Sequence, residues 1–239
     1  TALDMLRSGN PNPGWFGHPA TLTFYPIALV MVAVAGIGIL TGRFANLDAF
    51  VAAAYADPSI LFLPARLFFV ACGVLCVWLT WRLGKRLGGE RVGLGAAALL
   101  AVNSVHVEYS QVIRTDVQMT VFVLLATLAA LSILERGRLR DHALAGICVG
   151  LGVATKWPAA LIMFSPLAAA LARGLPQAGA QGRVLRPLTV LASSAAAALF
   201  VVSPFLLIDY ATVAQNLGGE ARPMHPGATG GGFLANLLI

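Results

Sequence analysis

Long apolar runs recur along this chain, and they decide what it can fold into. Ala20–Leu40, Pro64–Leu87, Val92–Val107, Val117–Leu134 and Leu188–Ile208 approach or exceed the length of a bilayer crossing. Pro64–Leu87 alone, as a helix of 24 residues, would measure about 36 Å against a hydrocarbon core of about 30 Å. With 16 basic and 10 acidic residues in 239 and a mean hydropathy of +0.81, no water-soluble domain could clothe its surface in polar groups. The sequence predicts an all-α, polytopic transmembrane helix bundle. The three cysteines, Cys72, Cys76 and Cys148, lie inside apolar runs without metal-like spacing and read as small packing residues.

The basic residues set the topology. Loops 82–91, 135–142 and 173–186 carry four, three and three Lys or Arg, ten of the sixteen in the chain. By the positive-inside rule these loops are cytoplasmic. They alternate correctly if Ala143–Thr155 rises and Trp157–Ala172 returns from a break at Lys156. Residues 103–120, 155–158 and 209–233 then share the exoplasmic face. The surplus of six positive charges is accounted for by topology, and no nucleic-acid partner is expected.

Unusual ionisable groups collect on that face. Asn103–Thr120 holds His106, Glu108, Arg114 and Asp116 between two apolar runs, where charge is costly unless paired or wetted. Lys156 sits in the Thr155-Lys156-Trp157-Pro158 break between runs of 13 and 16 residues, each short for a crossing. This places it in a half-buried turn, although a snorkelling lysine beside an aromatic anchor uses the same residues. Asp116 is expected to cap a helix starting at Val117. Arg114, two positions earlier, is expected to reach a different partner, because residues two apart diverge on a helix. The Gly-rich loop after Asp209 adds Glu220, Arg222 and His225, a set able to supply carboxylate, guanidinium and imidazole, or simply an exposed loop.

Taken in order, H-x-x-Y-S-x-x-x-R-x-D (His106, Tyr109, Ser110, Arg114, Asp116), the Thr155-Lys156 turn, and Ser203-Pro204-Phe205 ahead of Asp209 resemble the membrane glycosyltransferases of the protein O-mannosyltransferase and aminoarabinose transferase group. The resemblance runs from about Ala2 to Ile239. It implies the GT-C fold, with juxtamembrane helices in the first exoplasmic loop, and an inverting transfer from a polyprenyl phosphate- or diphosphate-linked sugar to a protein or lipid acceptor at the exoplasmic face of the plasma membrane. On this reading residues 1–63 form that loop, 64–208 the bundle, and 209–239 a further exoplasmic loop and the start of another helix. The whole is a single transmembrane domain in contact with membrane lipids.

The resemblance also assigns roles. Its catalytic Asp belongs to an Asp-Glu pair expected before Thr1, in a chain that reads as an internal fragment, and Asp4 does not match it. Lys156, Arg114, Arg222 and His106 become the expected donor-phosphate and substrate contacts, with Asp116 and Tyr109 shaping the site. A divalent metal is expected on His18, Glu220 and His225. Ala20–Leu40, long enough to span, is expected to be tilted or partly inserted with both ends exoplasmic. A transporter using the break at Lys156, and a non-catalytic scaffold of the same fold, are the other readings.

Overall fold

The computed structural model describes residues 1–17, 19–174 and 181–220. They form helices, with no strand among the described residues. In chain order these are α1 (Ala2–Ser8), α2 (Thr21–Leu40), α3 (Leu47–Ala56), α4 (Ser59–Gly88), α5 (Glu90–Ala101), α6 (Ser104–Ser110), α7 (Thr115–Arg136) and α8 (Leu139–Thr155). A 3-10 turn (Trp157–Met163) leads into α9 (Phe164–Gly174), and α10 (Gln181–Val202), α11 (Phe205–Ile208) and α12 (Tyr210–Glu220) follow. Among the described residues, five helices are long and apolar enough to cross a membrane, or six if the bent α5–α6 pair counts as one.

Several sequence boundaries move; the Leu188–Ile208 run, for one, divides into α10, which ends at Val202, and α11. α4 starts at Ser59, before Pro64, because the Asp57 carboxylate accepts from the Ser59 amide (3.0 Å) and nucleates the first turn. The Val92–Val107 run is not one helix. α5 ends at Ala101, and Asn103 caps a new helix by accepting from the His106 amide (2.9 Å), so α6 leaves at 65° to α5.

One end of the bundle is basic. Arg86 of α4 donates to the Leu128 carbonyl (2.9 Å), to Ser132 Oγ (3.1 Å) and to Glu135 (2.6 Å), joining the C-terminal ends of α4 and α7. Arg173 then caps α7, its guanidinium donating to the orphan carbonyls of Leu134 (2.6 Å) and Arg136 (3.1 Å) over the left-handed Gly137. Arg136 pairs with the buried Asp141, whose carboxylate also accepts from the Arg138 amide at the start of α8. The loops richest in Arg thus meet at one end.

From that end α8 and α10 rise together in one direction. Gly146 faces Leu191 and Ser194, and Gly150 faces Ala195 and Ala198, so closely that a Cβ on either glycine would collide with backbone of α10. Hydrocarbon gives apolar side chains little reason to leave lipid, so such pairs are held by close van der Waals contact, which small residues permit.

α1, α2 and α3 pack on the first third of α4. Ile27 and Ala28 of α2 meet Ala65 and Phe69, while Ala35 clusters with Phe44, Phe50, Ile60 and Leu61. Pro26 removes the amide that would bond the Leu22 carbonyl one turn earlier. Gln118 of α7 replaces it: its Nε2 donates to Leu22 (2.9 Å), and its Oε1 accepts from Thr23 (2.6 Å). The first turn of α2 is thereby fixed to the start of α7, and α3 carries its other end to the start of α4. Both ends of α2 belong to the end of the bundle opposite the arginines.

Candidate phosphate site at the helix break

At that opposite end, α8 stops because Pro158 can neither donate to the Ala154 carbonyl nor fit its ring into a continuing helix. Lys156 closes α8 with its own amide on Gly152 (2.9 Å) and then turns extended (φ −158°, ψ 132°) before the 3-10 turn begins at Trp157. The break thus presents its ammonium sideways into the bundle, with 18% of the side chain exposed.

The ammonium meets Asp116. Lys156 Nζ lies 2.6 Å from Asp116 Oδ1, across 40 residues of sequence. Arg114 Nε lies 3.3 Å from the other oxygen, Oδ2, and the Arg114 guanidinium stacks on Tyr109 with its carbon 5.0 Å from the ring centre. One carboxylate therefore bridges two cations, at the N-terminal turn of α7, where the helix dipole also favours negative charge.

Two expectations are corrected here. α7 begins at Thr115, not Val117, so Asp116 lies inside the first turn and makes no side-chain cap. Its oxygens go to Lys156 and Arg114, whose charges bind a carboxylate more strongly than a neutral amide does. Arg114 is not helical (φ −140°, ψ 149°), so the rule that residues two apart diverge does not apply. It folds back onto Asp116.

The other expected residues are distributed as follows. His106 sits on α6, where Nε2 donates to the Gly73 carbonyl (3.3 Å); Ser110 rests on the bare Cα of the same glycine. This anchors α6 to α4, and no hydrogen bond or ion pair joins His106 to Lys156 or Arg114 among the described residues. Tyr109 packs against the cluster formed by Cys76, Leu79, Val117 and Val121, besides supporting Arg114. His18, Arg222 and His225 lie outside the described residues, and Glu220 is the last residue of α12. Among the described residues no three His, Cys, Asp or Glu are grouped to hold a metal.

Sequence reasoning missed what ties the loop before α2 to this end. Asn12 Nδ2 donates to Asp209 (2.9 Å), the Phe16 amide donates to Asn216 of α12 (2.7 Å), and Trp157 Nε1 donates to the Phe16 carbonyl (3.1 Å). Hydrogen bonds from Asn12 and Thr212 hold the Asp209 carboxyl below its ordinary pKa. The segment just before His18 is therefore pinned between α12 and the residue next to Lys156. Asparagines in a turn-rich loop carry no sequence signal for partners some 200 positions away.

These elements fall largely within one matched region. A family model described as dolichyl-phosphate-mannose-protein mannosyltransferase matches residues 59–208, from the start of α4 to the end of α11. The chain belongs to this family. No curated protein and no solved structure matches it. The mannosyltransferase family is one of membrane glycosyltransferases that use a polyprenyl-phosphate sugar, and its matched region contains Arg114, Asp116 and Lys156 together with both helices that carry them.

Proposed function

We propose that the end of the bundle holding Lys156 faces the exoplasmic side of the plasma membrane and binds the phosphate of a polyprenyl-phosphate-linked sugar there. The sugar passes to a protein or lipid acceptor. An acceptor oxygen bonds to the anomeric carbon from the side opposite the phosphate, and the carbon–oxygen bond to the phosphate breaks. The bonding pair leaves with the phosphate, and the acceptor's proton goes to a general base. A polyprenyl tail stays in the bilayer, so its phosphate rests at the depth of a helix break. Cations there offset the desolvation of the phosphate and the charge that grows on the leaving oxygen.

The observation that carries this reading is the cluster of Lys156, Arg114 and Asp116 at the break in a family-matched bundle, opposite the arginine-rich end. The position of α2, with both ends on the Lys156 side, supports its assignment as a juxtamembrane helix of the exoplasmic loop. Family membership favours transfer over transport through the break. A divalent cation on His18, Glu220 and His225 belongs to the same proposal, and would add positive charge facing the leaving phosphate.

The test is donor binding by the full-length protein in nanodiscs. Lys156→Ala should weaken binding of a polyprenyl phosphate at least tenfold, while binding of the matching polyprenyl alcohol stays unchanged. Equal affinity of the wild type for phosphate and alcohol would refute the reading.

A further inference from the structure

We propose that Asp116 is a release residue, which biases the Lys156–Arg114 site against the doubly charged phosphate left behind by transfer. The inference rests on the phosphate site proposed above and goes beyond it, because it assigns the carboxylate a task opposite to that of the cations.

The geometry poses the question directly. A site for an anion would be expected to leave its cations free, yet both oxygens of one carboxylate are spent on them, at 2.6 Å and 3.3 Å. The hydrogen bond to Lys156 uses one of three ammonium protons, and the ion pair with Arg114 runs through Nε. Neither Nη of Arg114 has a hydrogen-bond partner among the described residues, so both cations keep donors for a ligand. Asp116 therefore does not block the site. It lowers its formal charge from +2 to +1.

The chemistry of the transfer makes that difference matter. The donor is a phosphodiester with one negative charge. When the bond between phosphate and sugar breaks, the bonding pair stays on oxygen, and the product is a phosphomonoester with close to two charges above its second pKa of about 6. Each negative charge on the ligand is repelled by Asp116, so the doubly charged product loses about twice the free energy that the singly charged donor loses, whatever other cations the site holds. Even at the dielectric of bulk water, a carboxylate about 6 Å from the bound charge lowers affinity about threefold per ligand charge, hence about tenfold for two, and the half-buried site makes these lower bounds. Asp116 thus costs the donor little and the product more.

Asn serves as the probe because it has the shape of Asp and its amide oxygen still accepts from Lys156, so positioning survives while the charge goes. In the full-length protein in nanodiscs, binding of citronellyl phosphate and of its methyl ester, a diester of single charge, is measured by titration calorimetry. At pH 7.5, Asp116→Asn should tighten the monoester about tenfold and the methyl ester about threefold. At pH 5, where the monoester carries one charge, the two gains should become equal. Asp116→Ser, smaller and equally neutral, should reproduce the asymmetry if the Asn variant folds poorly. In multiple turnover kcat should fall along with KM, while single-turnover transfer keeps its rate.

Equal changes in both ligands at pH 7.5, or weaker binding of both, would overturn the proposal and leave Asp116 as a residue that only positions Lys156. If the wild type binds neither ligand better than citronellol, the phosphate site itself falls, and this inference falls with it. A wild type that discriminates phosphate from alcohol, with variants that show no asymmetry, removes the inference alone.

Discussion

Replacing Gln118 by Leu should loosen α2 from the bundle, and a proline 92 positions away should decide by how much. Gln118 is 4% exposed and fills two needs at once. Its amide donates to Leu22, whose carbonyl lost its helical partner to Pro26, and its oxygen accepts from the Thr23 hydroxyl. Leucine fills much of the same space but meets neither need. An unsatisfied buried carbonyl costs about 1–3 kcal/mol in water-based proteins, and interhelical polar contacts in membranes average about 0.6 kcal/mol with a maximum near 1.7. The Thr23 hydroxyl can turn elsewhere, so the carbonyl dominates and Gln118→Leu should cost about 1–2 kcal/mol. Pro26→Ala restores an amide one turn after Leu22. In the Gln118→Leu background it should recover about 1 kcal/mol, a coupling that a double-mutant cycle of thermal unfolding in nanodiscs would resolve. Hydrogen exchange should show the loss of protection confined to the first turns of α2 in Gln118→Leu, and its return in the double variant. Absence of any recovery in the double variant would refute the argument that Gln118 stands in for the missing amide.

Gly150→Leu should destabilise the protein by about 3 kcal/mol or more, because its side chain would occupy the space of the Ala195 backbone; thermal unfolding would show it, and an unchanged midpoint would contradict the packing. The Asp209 carboxyl, held below its ordinary pKa by Asn12 and Thr212, adds stability that is present above about pH 4. That stability is lost as pH falls through the lower folded value. Hydrogen exchange of residues 10–17 should accelerate below about pH 4 in the wild type, and Asp209→Asn should remove this pH dependence. A chelator should abolish transfer by the full-length protein, with recovery on adding back a divalent cation; full activity in chelator would leave Glu220 and His225 as loop residues.

The sequence by itself determined the class, the order of the apolar segments, and the gathering of arginines at alternate loops. Each of these depends on composition within a short window, or on where charge can be left in water. The break at Lys156 was equally legible, since Trp157-Pro158 stops a helix by local sterics. Which segments form one long helix was decided by the fold, since Val92–Val107 is bent at Asn103 and Trp157–Gly174 reaches crossing length. What only the tertiary structure decided besides was partnership. Nothing in the spacing of Asp116 and Lys156, 40 positions apart, announces an ion pair. Local rules sent Asp116 to a helix cap and Arg114 elsewhere, because such rules see only neighbouring amides. Once α8 breaks beside the first turn of α7, a cation in a half-buried place outweighs a neutral N–H, and the carboxylate turns to it. The same holds for Asn12, Phe16 and Gln118: each meets a need created by another segment, and that need exists only after the chain has folded.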